Sequence, residues 1–174
     1  MIKKVKSKTW SSYFRPLRGL GIAAVIALIV MIVALVYPKT AKGEFTPPPF
    51  DEGAVAGTPE VPEELGYSEL YQNGMAYHFS VCGRIYLTGT EATVYLTNPS
   101  DNETWLKIRI LDKDGNILGE SGIVRPGEYV KDVTLSKALP ANTPIALRIM
   151  GYVPDTYHSA GVVTLNTTTR GTMT

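Results

Sequence analysis

From Leu20 to Tyr37 the chain reads LGIAAVIALIVMIVALVY, eighteen residues without a charge. As a helix this run is about 27 Å long, close to the hydrocarbon thickness of a bilayer. It has no polar face, which a helix packed against a soluble core would keep. Trp10, Tyr13 and Phe14 precede it, Tyr37 closes it, and Pro38 stops it. Six basic residues stand before the run (Lys3, Lys4, Lys6, Lys8, Arg15, Arg18), whereas only Lys39 and Lys42 follow closely after it. That bias places the N-terminus in the cytoplasm. The sequence therefore predicts a cytoplasmic basic tail (1–18) and a transmembrane helix (19–37) whose partner is the lipid bilayer. The rest of the chain lies outside the cell membrane in this reading. A cleaved signal peptide, giving a secreted form, is the alternative. Ala41-Lys42-Gly43 offers a small-residue site, but it lies six residues beyond a run longer than the usual apolar core of a signal.

Charge divides the chain in the same place. Residues 38–174 hold 11 basic and 16 acidic residues, so this part carries about −5. A nucleic-acid binder keeps its positive charge on the folded domain, and that class is set aside. The single cysteine, Cys82, excludes an internal disulfide. Residues 38–66 contain Pro38, Pro47, Pro48, Pro49, Pro59 and Pro62, with six acidic residues between Glu44 and Glu64. Proline and like charge keep such a segment extended and poor in core-forming area, so a disordered stalk with a reach of at most about 90 Å is expected.

Beyond residue 66 the apolar period becomes two. Ala92, Val94 and Leu96 share one face of a run; Leu106, Ile108 and Ile110 do so in the next; Ile145, Leu147 and Ile149 in a third. Further runs near 76–82, 84–88, 117–123, 129–135 and 161–166, separated by Asn98–Asn102, Asp112–Asn116, Arg125–Gly127 and Leu139–Asn142, give seven or eight short strands. The expectation is an all-β fold, an antiparallel sandwich over residues 67–167, followed by a flexible tail at 168–174.

Three passages carry a resemblance: Ile108-Arg-Ile-Leu-Asp-Lys-Asp-Gly-Asn-Ile-Leu118, Val124-Arg-Pro-Gly-Glu-Tyr129 and Leu135-Ser-Lys-Ala-Leu-Pro140. Together they resemble the immunoglobulin-like or fibronectin-III-like sandwich ectodomains of single-pass bacterial surface proteins. The resemblance covers roughly residues 75–166 and implies a fold, with an interaction or spacer role by analogy. It names no ligand.

Few residues invite chemistry. Asp112-Lys-Asp-Gly-Asn116 has oxygen-bearing side chains but places its glycine at the fourth position, where a calcium loop needs it at the sixth. A hairpin turn explains it, and no metal is expected. His78, Ser80 and Cys82 share one strand face, but i and i+4 on a strand stand about 13 Å apart. No orienting acid or oxyanion loop follows them in sequence, so a hydrolase or transferase using the Cys82 face is only an alternative. Trp105, Lys107 and Arg109 form an outward row, an aromatic beside two cations that can stack on a sugar or receive an acidic partner. Tyr152 and Tyr157, with His158 around Pro154-Asp155, form a second contact surface; Tyr67 and Tyr71 stand at the domain's start. No cofactor is expected. The sequence thus predicts a membrane-anchored, non-enzymatic extracytoplasmic binding or structural module. Its outer domain meets a protein or an envelope polymer, alone or as an accessory subunit of a bacterial envelope, secretion or conjugation assembly.

Overall fold

Val, Ile, Leu and Thr alternate with polar residues over most of the chain beyond residue 76, and such runs suit a pleated surface buried on one side. The computed structural model describes residues 27–29, 31, 45–70 and 76–171. They fall in two units, Met1–Thr46 and Pro47–Thr174. In the first, Ala27, Leu28, Ile29 and Met31 are helical and exposed. The remainder of the expected span 19–37 lies outside the described residues, as do the basic tail 1–18 and residues 38–44. Among the described residues no helix is long and apolar enough to cross a membrane.

The second unit is all-β. Ten strands form it: β1 (Val55–Ala56), β2 (Tyr67–Leu70), β3 (Phe79–Cys82), β4 (Ile85–Thr88), β5 (Glu91–Asn98), β6 (Trp105–Leu111), β7 (Ile117–Glu120), β8 (Glu128–Thr134), β9 (Pro144–Tyr152) and β10 (Ser159–Arg170). Their order along the main path is β1-β8-β5-β4-β10-β9-β6-β7, with β2 and β3 attached through β5. The eight runs expected from periodicity correspond to β3 to β10. The sheet is mixed, however, because β10 runs parallel to β4 at Thr169↔Ile85 and Arg170↔Tyr86. It is also strongly curled into a half-barrel, so the expected all-β fold is present while its pairing is not antiparallel throughout. Register shifts between Thr93 and Leu96 in β5, Ile110 and Leu111 in β6, and Ser159 and Gly161 in β10 supply the curl. A bulge adds local twist to the strand that carries it.

The core fills the hollow of this curl. Leu106, Ile108 and Ile110 of β6 are fully buried, as are Val94 and Leu96 of β5 and Ile149 of β9. Beside them sits a polar knot. The buried Asn98 side chain donates to the carbonyls of Thr104 and Val124, at 2.8 and 3.0 Å, and accepts from Asn102 at 2.7 Å. Asn102 also donates to the His78 carbonyl. A turn that read as generic loop chemistry therefore ties three strand ends together.

Two boundaries move. The expected stalk ends well before residue 66, because Pro47 onward belongs to the β unit. Phe50 bridges Ile123 in parallel, β1 pairs β8, and Leu65 is fully buried within a one-turn 3₁₀ segment, Glu63–Leu65. The expected flexible tail from 168 is strand through Arg170. Thr169 is fully buried, its hydroxyl donating to the Pro140 carbonyl at 2.7 Å and accepting from the Thr143 N–H at 3.0 Å.

Candidate functional site

The outer face of β6, β7, β9 and β10 carries the residues that the sequence singled out. Along β6, Trp105, Lys107 and Arg109 alternate with the buried leucine and isoleucines, as a period of two requires. Register then aligns rows across the sheet. Trp105 lies opposite Tyr152, Lys107 opposite Met150, and Arg109 opposite Arg148. Thr164 of β10 lies opposite Arg148 on its other side, and Glu120 of β7 lies opposite Arg109.

An aromatic strip crosses one end of this face. Phe50 meets Trp105 edge-on at 4.9 Å between ring centroids, and Trp105 meets Tyr157 at 5.4 Å. Arg125 lies over the Phe50 ring at 3.7 Å. Each partner arrives by a local device. Phe50 is held by its pairing with Ile123, where the Ile123 N–H donates to the Pro49 carbonyl at 2.8 Å and the Asp51 N–H to the Ile123 carbonyl at 2.9 Å. Tyr157 is delivered by the tight β9–β10 loop, in which Asp155 and Tyr157 both take positive φ (62° and 55°). The Val153 and Tyr157 ends of the loop are bonded to each other. Tyr152 stays beside the strip, half-buried, its hydroxyl 3.7 Å from the Met150 sulfur.

The two cations of the expected row are not free. Lys107 is almost wholly buried and its ammonium sits 2.8 Å from Glu120, whose other oxygen accepts from Arg109 at 2.6 Å. Burial pushes the Glu120 carboxyl up, but the hydrogen bonds and charges of Lys107 and Arg109 outweigh it and hold the group below its ordinary range. The cation of this face that lacks an acidic partner among the described residues is Arg148. It is exposed beside a groove of about 380 Å³ lined also by Lys113, Ala146, Thr164 and Asn166.

Thus Trp105 and Tyr157 come together, Lys107 and Arg109 are spent on Glu120, and Arg148, Phe50 and Arg125 join the face. Arg148 was legible as the outward residue of the run Ile145–Ile149. Phe50 was hidden by the prolines before it.

The other candidates separate. Asp112 closes its hairpin, accepting from the Asp114 and Asn116 N–H groups at 2.9 Å each and from the Asn116 amide, while Gly115 supplies positive φ. Cys82 is fully buried, and burial, with the Asp132 charge, pushes its thiol up to about 12. The His78 ring lies between the carboxylates of Glu69 and Asp101. Tyr67 donates to the Thr97 hydroxyl at 2.6 Å, and Tyr71 lies outside the described residues.

No protein-family model matches the chain, and no curated protein matches it. Among solved structures the chain is similar to Ruminococcus gnavus beta-glucuronidase in complex with uronic isofagomine, at 19% identity and a TM-score of 0.34. The match covers 51% of this chain and 14% of that one.

Proposed function

We propose that this chain is a membrane-anchored, non-enzymatic module that presents a β-domain outside the cell membrane and binds a protein or an envelope polymer through the outer face of β6, β9 and β10. The observation that carries the reading is the pairing of an aromatic strip, Phe50–Trp105–Tyr157, with the exposed guanidinium of Arg148 on one sheet face. Aromatic rings give contact area at little conformational cost, and an exposed arginine adds a fork of donors for carboxylate or phosphate. The partner suited to this face is acidic and carries an apolar or sugar surface.

An immunoglobulin-like sandwich is the finer fold reading. Its support is the pairing pattern, β4–β5–β8 on one side and β7–β6–β9–β10 on the other, with a parallel β10–β4 contact between them. Export rests on the apolar run and the basic residues before it. Cys82 gives the enzymatic alternative no support, since a buried thiol pushed to about 12 supplies little thiolate at neutral pH.

The test is retention of the full chain on isolated envelope fractions, together with crosslinking in cells. Arg148→Glu and Trp105→Ala are each expected to lower retention about tenfold, the loss of one well-placed contact of about 1.4 kcal/mol. Unchanged retention in both, with unchanged melting, sinks this face as the contact surface. Recovery of a shortened chain in the medium replaces the anchor with the secreted form.

A further inference from the structure

A sheet edge is a row of unpaired N–H and C=O groups, and proteins blunt such rows with short strands, charges, prolines or bulges. Three edges here follow that rule. β1 has two residues. β7 has four, carries Glu120, and gives its Leu118 carbonyl to the Ser136 N–H at 2.7 Å. β2 has four and carries Glu69. β10 follows it only at its start, where the register shifts between Ser159 and Gly161. From Ser159 to Thr169 the strand has neither charge nor proline. It pairs with β9 along one side from Ser159 to Thr168, and with β4 on the other only at Thr169 and Arg170.

The cause is topological. β3 and β4 both pair with the same side of β5, so β2 and β10 lie along their other side. β2 fills the place beside β3 that a continuation of β10 would take. Among the described residues, no strand therefore covers β10 from Ala160 to Asn166. Which groups point outward follows from the ladder. Thr169 exchanges both its backbone bonds with Asn142 and Thr143, the two residues just before β9. Bonding alternates residue by residue in an antiparallel pair. Val162, Thr164 and Asn166 thus direct their N–H and C=O groups to the open edge, and all three are exposed.

We propose that β10 is a dimerisation edge that pairs antiparallel with β10 of a second copy of this chain, about a two-fold axis at Thr164. The occupant follows from self-complementarity. The axis sets Thr164 opposite its own copy and Val162 opposite Asn166, so the outward groups of each strand meet those of the other. No charge opposes itself across this axis, because residues 159–169 carry none, whereas residues 38–174 as a whole carry about −5 and repel a second copy wherever like charges meet. The resulting interface is isologous, and it joins the two β7–β6–β9–β10 segments into one sheet with both Arg148 side chains on a continuous face.

The full chain is tested in its membrane with Thr164→Cys. The paired Cα atoms would stand about 5.5 Å apart, within disulfide range. Copper–phenanthroline oxidation is expected to give a covalent dimer at least fivefold above a Lys137→Cys control; buried Cys82 sets the background. Thr164→Lys places two like charges on the axis and is expected to lower the dimer fraction tenfold by sedimentation in detergent, with unchanged melting. Crosslinking at residue 164 no greater than at 137 overturns the proposal. So does a dimer that persists undiminished in Thr164→Lys, since association would then run through another surface.

Discussion

At the scale of single residues, burial moves two groups of the β unit well above their ordinary titration, Tyr77 and Cys82. Burial raises the Tyr77 hydroxyl from 10.0 to about 12, although hydrogen bonding pulls the other way, and raises the Cys82 thiol from 9.0 to about 12. The unfolded chain releases the Cys82 proton above about pH 9 whereas the folded chain keeps it, so folding stability is full below pH 9 and falls as pH rises toward 12. Tyr77 adds a fall of the same sign that begins near pH 10. Cys82→Ala is expected to cost on the order of 1 kcal/mol at pH 7 for the volume lost. It should also delay the alkaline decline by about one pH unit, which urea titrations at stepped pH would reveal; an unchanged alkaline limb would mean that Cys82 is solvated. Glu120 works with the opposite sign. Its carboxyl is held low by Lys107 and Arg109, so its contribution is present at neutral pH and lost as pH falls through the folded value. Glu120→Gln leaves buried Lys107 without its anion. Because Glu120 is 39% exposed, the expected loss at pH 7 is about 1–3 kcal/mol, below that of a fully buried pair. The gap to wild type should close as pH falls and the wild-type carboxyl takes up its proton.

At the scale of elements, the decisive contact is the one that residues 49–51 make with the segment before β8. Gly122 permits it by having no side chain. A Cβ there would stand 2.5 Å from the Asp51 N and Cα atoms and 2.8 Å from the Phe50 carbonyl carbon, all of them backbone. The Gly122 N–H in turn donates to the Asp51 carboxylate at 2.7 Å. Gly122→Ala must lift the segment, lose three hydrogen bonds and withdraw Phe50 from Trp105, at about 3 kcal/mol. In a Trp10→Phe background, acrylamide quenching of Trp105 should rise; quenching as in the parent would show that Phe50 does not cover the ring. This contact also marks what the sequence could tell. Strands β3 to β10 were readable because each alternates for four residues or more and ends at a turn. β1 and the Phe50 bridge were not, since a two-residue strand has no period and composition points a proline-rich acidic segment away from order. The outward row on β6 was readable for the same reason as its buried partners. That Lys107 and Arg109 would be consumed by Glu120 was not, because strand register is a long-range fact that local pattern does not carry.

At the scale of the whole β unit, one strand closes the curl. β10 leaves β9 at Thr168 and crosses to β4, and only its last two residues make that crossing. Thr169 concentrates the bonds: its N–H and C=O pair with Thr143 and Asn142 at 3.0 and 2.8 Å, and its hydroxyl bridges Pro140 and Thr143. Composition makes residues 168–174 look like a polar tail that could be trimmed without effect. The structure predicts instead two distinct outcomes for two truncations. Ending the chain after Gly171 keeps Thr169 and Arg170 with all their bonds and serves as the reference. Ending it after Thr167 deletes four hydrogen bonds at roughly 1 kcal/mol each and both parallel bridges, and opens the fully buried Thr169 site to water. A loss of about 4 kcal/mol in a unit of this size lowers the melting temperature by on the order of 10–15 °C. Hydrogen exchange should then show lost protection in β4 as well as in β10, since β4 loses the strand beside it. Equal melting of the two truncations would mean that the parallel contact contributes nothing to closure.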